Sequence, residues 1–261
     1  MKFAVTGKGG AGKTTIAALM SHYFYRAGYQ VLVVDADPVA HLAMALGIPA
    51  DLSARITPIS EQRRLIKERT GANPRQFGQL FKLNPTVNDI PDKFCLDFRG
   101  LKLLVMGAVQ KGGSGCACPE NVLLRSLLSE IILHRKEVVI VDMEAGIEHL
   151  GRGTCRAIDK MLIVVEPSLR SVGAGKNILA LAEDIGIASF GVIGNKIQSP
   201  SQEKWLRAQF PVSQILGMIS YRDILRDADF LPKPLIDSLD EPARAEFDAL
   251  YGAIRASLPG S

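Results

Sequence analysis

The sequence predicts a doubly wound α/β fold, a mainly parallel sheet with helices on both faces. Three observations predict it. Short, continuously apolar runs recur along the chain, helical patterns separate them, and a glycine-rich segment stands between the first run and the first helix.

The runs are "KFAVT" (2–6), "QVLVVDA" (30–36), "LKLLVMG" (101–107), "EVVIVDM" (137–143), "KMLIVVE" (160–166), "FGVIGNK" (190–196) and "ILGMIS" (215–220). Each is apolar on both alternating faces, as a strand covered by helices on both sides must be. The spacers 13–28, 120–137 and 171–186 repeat apolar residues every three or four positions, and the first ends on Gly28, well placed as a C-cap. A closing amphipathic helix covers 241–258 and carries both signs of charge on its polar face, the pattern of a docked helix. From about 50 to 95 the rhythm breaks into a polar excursion, with a helix over 60–71 and then irregular structure rich in proline and asparagine.

At 261 residues, 47% hydrophobic and 22% charged, the chain suits one domain spanning 1–261 with a sizeable core. Its +4 net charge comes from 31 basic and 27 acidic residues in mixed order, so neither nucleic acid nor membrane is expected as a partner. No apolar run reaches the roughly 18 to 20 residues needed to cross a bilayer, and the N-terminus enters a strand without a leader. A cytoplasmic protein is expected, in which Cys95, Cys116, Cys118 and Cys155 are thiols rather than a disulfide framework.

"GKGGAGKT", Gly7 to Thr14, satisfies G-x-x-x-x-G-K-[ST] between a strand and a helix. Gly7, Gly9, Gly10, Ala11 and Gly12 let backbone N–H groups curl around phosphates. Lys13 reaches the β- and γ-phosphates, the Thr14 hydroxyl ligates Mg²⁺, and Thr15 continues the helix start. ATP or ADP with Mg²⁺ is the expected ligand.

Lys8, directly after the first glycine, makes the loop resemble the deviant Walker A motif of the MinD and ParA partitioning ATPases, the nitrogenase iron protein, and the arsenite and tail-anchored-protein ATPases. The resemblance implies a P-loop ATPase that works as a homodimer, with Lys8 reaching the partner's nucleotide as an arginine finger does. By the same likeness Asp37 in "VVDADP" orients the attacking water and Asp35 supports Mg²⁺. Asp142, ending the strand "VVIVDM", is the Walker B candidate for Mg²⁺, and Gly146 offers a backbone N–H to the γ-phosphate. Asn195 pairs with the adenine edge, and Glu166 and Pro167 line the base pocket.

Cys116 and Cys118 stand one residue apart in "KGGSGCACPEN", between the 101–107 strand and the 120–137 helix. In a parallel sheet that is the carboxyl edge, where the phosphate loop also lies. Two thiolates do not fill a tetrahedral site, but two from each subunit of a two-fold dimer do. This loop, "DMEAGIEHLGRGT" and "VVEPSLRS" together resemble the CooC-type accessory ATPases that mature nickel-containing carbon monoxide dehydrogenase. The resemblance implies one Ni²⁺ or Zn²⁺ per dimer between subunits, and ATP hydrolysis coupled to nickel insertion into carbon monoxide dehydrogenase or a related nickel enzyme. Cys95 and Cys155 read as core residues, and His41 and His149 as ordinary helix or loop residues.

Two other readings compete. One is an ATP-dependent reductase resembling the nitrogenase iron protein, with an intersubunit iron–sulfur cluster on Cys118 and Cys155. The other is a MinD- or ParA-like positioning ATPase, which leaves the cysteine loop without a role.

Overall fold

The computed structural model describes residues 1–37, 41–74, 76, 78–107, 118–144, 152–187, 189–227 and 233–258. The apolar runs form β1 (Lys2–Gly7), β2 (Val31–Ala36), β4 (Leu101–Val105), β5 (Val138–Met143), β6 (Lys160–Val165), β7 (Phe190–Ile197) and β8 (Ile215–Ser220), joined by a short β3 (Leu96–Phe98). One eight-stranded sheet results, in the order β3-β4-β2-β5-β1-β6-β7-β8. Every pairing is parallel except β3 with β4.

The sequence reading missed β3. Its signal is the turn: Arg99 and Gly100 both have positive φ, 50° and 82°, and Phe98 faces Leu101 across them. Two left-handed residues make the turn whose twist suits a tight hairpin, and an Arg-Gly pair announces it only weakly.

The helices are α1 (Lys13–Arg26), α2 (Leu42–Ala45), α3 (Ala50–Ser53), α4 (Arg63–Thr70), α5 (Ile90–Phe94), α6 (Pro119–His134), α7 (Arg152–Cys155), α8 (Leu169–Asp184), α9 (Pro200–Arg207), α10 (Asp223–Asp227), α11 (Leu235–Ser238) and α12 (Glu241–Ala256). Alternation along the strands builds two apolar layers. Phe3, Val5, Val33 and Ile140 face α1, α2, α11 and α12; Ala4, Val34, Val139 and Ile163 face α4, α6, α8 and α9. In α12 the buried residues Ala243, Phe247, Leu250 and Ile254 recur at three and four positions, so the closing helix is docked.

The 50–95 excursion is more built than its composition predicts. The helix expected over 60–71 is α4, and Ile59, Leu65, Ile66, Val87 and Ile90 are buried in the second layer beside α6, so this part of the chain contributes to the core. The proline- and asparagine-rich positions are the turns between these short buried pieces.

Candidate functional site

The phosphate loop leaves the central strand β1 and opens α1. Gly7 holds φ 150° because a Cβ there would strike the Val164 carbonyl of β6. Gly12 is left-handed at φ 97°, and a Cβ on it would strike the Asn195 amide. Gly12 is also the N-cap of α1 and supplies no side-chain cap, whereas α6, α8, α9 and α12 are capped by Cys118, Ser168, Ser199 and Asp240. The first N–H groups of α1, at Lys13, Thr14 and Thr15, therefore lack a side-chain acceptor, which is the arrangement that receives phosphate oxygens. Lys13 is buried beneath the loop, while Gly9 and Gly10 are exposed on it.

Asp142 lies at the end of β5 with its Oδ2 accepting from the Thr14 hydroxyl at 2.7 Å. Its Oδ1 is buried and has no hydrogen-bond partner. Burial pushes its carboxyl up to about 6, against the pull of Thr14 and Lys13. Asp35 on β2 stands opposite Asp142 in the strand register and is fully buried. Desolvation raises it to about 7, opposed by the N–H groups of Leu42 and Asp37 and reinforced by the Asp142 charge. Two buried carboxylates and a hydroxyl, one oxygen of which is orphaned, are the hard donor set that suits Mg²⁺.

Asp35 also shapes the chain after β2. Its Oδ1 accepts from the Asp37 N–H at 3.2 Å and its Oδ2 from the Leu42 N–H at 3.1 Å. Asp37 is half-buried, and His41 is exposed.

The far wall comes from β6 and β7. Asn195 Nδ2 donates to the Ala11 carbonyl at 2.7 Å, and Lys196 Nζ donates to the Gly10 carbonyl at 2.6 Å. Asn195, expected at the adenine edge, stands beside the loop and braces it through its amide nitrogen. Sequence reasoning missed Lys196, whose φ of 60° is left-handed, an uncommon state for a residue with a Cβ. Lys8 Nζ lies 3.6 Å from Glu166 Oε1. Pro167 lines a cleft of about 420 Å³ together with Ser168, Leu169, Ser201, Gln202 and Trp205, an aromatic wall also absent from the sequence reading.

Cys118 caps α6 at the carboxyl edge: its Sγ accepts from the Asn121 N–H at 3.5 Å, and burial raises its thiol. Cys155 is fully buried in the second core layer and Cys95 packs against that layer. Cys116, Gly146 and His149 lie outside the described residues. Among the described residues no group of three or more His, Cys, Asp or Glu gathers as a metal site, and no helix is long and apolar enough to cross a membrane.

A glycine loop on an uncapped helix, a buried lysine and a hydroxyl–carboxylate pair define a P-loop nucleotide-binding protein. Residues 2–234 match the CobQ/CobB/MinD/ParA nucleotide-binding domain, and the chain belongs to that family. Over 229 residues it is 46% identical to the carbon monoxide dehydrogenase accessory protein CooC of Rhodospirillum rubrum, covering 88% of this chain and 87% of that one. An uncharacterized ATP-binding protein of Methanocaldococcus jannaschii is 43% identical over 256 residues, 97% of each chain. Among solved structures, the MinC:MinD cell division protein complex of Aquifex aeolicus superposes with a TM-score of 0.67 at 22% identity, covering 100% of this chain and 98% of that one. The septum site-determining protein MinD of Pyrococcus horikoshii, complexed with Mg-ADP, gives 0.66 at 18% identity, over 97% and 94%. These two likenesses show the fold, and the family makes the chain a nucleotide-binding ATPase of the MinD/ParA type.

Proposed function

We propose that residues 1–261 act as one ATPase domain of a cytoplasmic metal-insertion factor. It works as a homodimer that hydrolyses ATP and carries Ni²⁺ or Zn²⁺ as cargo, assisting nickel insertion into carbon monoxide dehydrogenase or a related nickel enzyme. The observation that carries this reading is the place of Cys118. It stands half-exposed at the start of α6, on the carboxyl edge that also bears the phosphate loop, while Cys95 and Cys155 pack with the core. The 46% identity to CooC supports it.

In this reading the N–H groups at the start of α1 and Lys13 hold the phosphates. Thr14, Asp142 and Asp35 hold Mg²⁺, which supplies charge neutralisation at the phosphates when bound. Asp37, whose N–H is held by Asp35, orients the attacking water, and Gly146 offers a backbone N–H to the γ-phosphate. Asn195 Oδ1, Glu166 and Pro167 meet the base. Lys8 releases Glu166 and reaches the partner's nucleotide, so hydrolysis depends on the closed dimer. Closure brings Cys116 and Cys118 of both protomers around one ion. Cys155 is fully buried, which disfavours an iron–sulfur cluster shared between subunits through it.

The test is anaerobic size-exclusion chromatography with elemental analysis of the peak, with and without nucleotide and with Ni²⁺ or Zn²⁺. One ion per dimer is expected, lost in the Cys116→Ala, Cys118→Ala variant while ATP turnover persists. Stoichiometric metal on that variant would overturn the reading.

A further inference from the structure

Arg63, Arg64 and Lys67 are exposed together on α4, whose other side buries Leu65, Ile66 and Thr70. The Lys82 N–H donates to the Thr70 carbonyl at 2.8 Å, setting the segment around residues 79–83 against the end of that helix. On this segment Leu80 is 98% exposed and Leu83 65% exposed. The leucines are presented from a built loop: Gln79 Nε2 donates to the Asn73 carbonyl and the Asn73 N–H donates to Gln79 Oε1, both at 2.9 Å.

Among the described residues, Arg63, Arg64, Lys67 and Lys82 form no ion pair, whereas neighbouring Arg69 is taken up by Asp89 and Glu68 and Lys93 by Asp89. Glu61 and Glu68 are the exposed carboxylates within α4 and the turn before it, and Glu68 is already engaged by Arg69. The linear sequence hides this face because Leu65 and Ile66 interrupt the basic residues.

Its location matters. The Ser60 N–H donates to the Met106 carbonyl at 3.0 Å, so the chain enters α4 beside the end of β4. In the sequence, residues 108–117, with Cys116, come shortly after that strand. The basic face begins beside the end of β4.

We propose that Arg63, Arg64, Lys67 and Lys82 with Leu80 and Leu83 form a docking surface for an acidic protein surface that carries an apolar pocket. Resting on the function proposed above, that surface belongs to the nickel enzyme that receives the cargo. Charge complementarity selects the orientation and raises the encounter rate, and the two leucines supply apolar anchors. A nucleic acid fits less well, because four cations on one short face neutralise few phosphates. A membrane fits less well, because the apolar side of α4 faces inward.

The test uses the full chain and purified nickel-free carbon monoxide dehydrogenase, with anionic phosphatidylglycerol vesicles and duplex DNA as further probes. Binding is measured at low and high salt for the parent, an Arg63→Glu, Arg64→Glu, Lys67→Glu variant and a Leu80→Ser, Leu83→Ser variant. ATP turnover and metal stoichiometry are followed in parallel as controls for folding. The charge reversal is expected to weaken enzyme binding at least about 10-fold at low salt and to flatten its salt dependence. The leucine variant is expected to weaken binding at both salts. Turnover and metal content remain unchanged in both. If the parent binds and activates the enzyme and both variants do so equally well, the surface is wrong and the function stands. If the parent carries metal but neither binds nor activates the enzyme, the function and this surface's partner fall together. Binding to vesicles or DNA that the charge reversal abolishes would replace the protein partner with that class.

Discussion

Lys8 Nζ lies 3.6 Å from Glu166 Oε1, so the first lysine of the phosphate loop is folded onto the turn after β6 of its own chain. The pair is partly exposed and holds Lys8 with less than about 1 kcal/mol. Closure of the proposed dimer would therefore break it cheaply. Lys8→Ala is expected to lower ATP turnover about 10³-fold and to leave ADP affinity within a few-fold. Glu166→Gln is expected to shift the dimer equilibrium by no more than about fivefold. Turnover titrated against protein concentration checks both.

The orphaned Oδ1 of Asp142 gives a second prediction. Without Mg²⁺ the buried charge destabilises the site, because desolvation opposes ionisation. Asp142→Asn should therefore melt at an equal or higher temperature than the parent in EDTA at alkaline pH. It should also lose the rise in melting temperature that Mg·ADP gives the parent. A variant that keeps the Mg·ADP shift would remove Asp142 from the ion site.

Cys118 both caps α6 and is assigned to the cargo, and one substitution separates the roles. Serine is among the favoured N-cap residues, and the weakly accepting Cys118 Sγ fills the same role, accepting from the Asn121 N–H at 3.5 Å. Cys118→Ser should hold or raise the melting temperature while metal in the dimer peak falls to background. Cys118→Ala removes the cap as well and should destabilise by about 1 kcal/mol.

His22 on α1 is buried, and desolvation, with Arg26 adding to it, lowers its imidazole from 6.5 to about 4. Between those values the unfolded chain binds a proton that the folded chain refuses. Stability is thus complete above pH 6.5 and lost as pH falls towards 4. A shift from 6.5 to about 4 corresponds to a loss on the order of 3 kcal/mol, at about 1.4 kcal/mol for each unit. Urea unfolding across this range should show the slope in the parent and a flatter one in His22→Gln.

The phosphate loop, Lys13, Thr14 and Asp142 were legible because strand, turn and helix occur consecutively and each demands particular residue types. The seven longer strands were legible for the same reason, since burial on both faces leaves a continuous apolar run. Lys196 and Trp205 were not. Their roles depend on which loop or helix lies opposite them, and a lysine after Asn195 carries no local sign that it reaches Gly10. Asn195 shows the intermediate case: its place at the site was readable from the strand end, but its bond to Ala11 is a tertiary fact. In the excursion the helix at α4 was legible, but the burial of Ile59, Val87 and Ile90 was not, because they are spread thinly among prolines and polar turns, too short for any period to show.

The bracing of the loop by Asn195 and Lys196 also orders events at the ribosome. The bonded atoms lie 184 and 186 residues apart, so the motif emerges first and its support long afterwards. At about 5 to 20 residues per second, the interval is roughly 10 to 40 s. A nascent chain that shows the whole phosphate motif therefore still lacks the bonds that hold it in shape. The loop gains its brace only after β7 has joined β6.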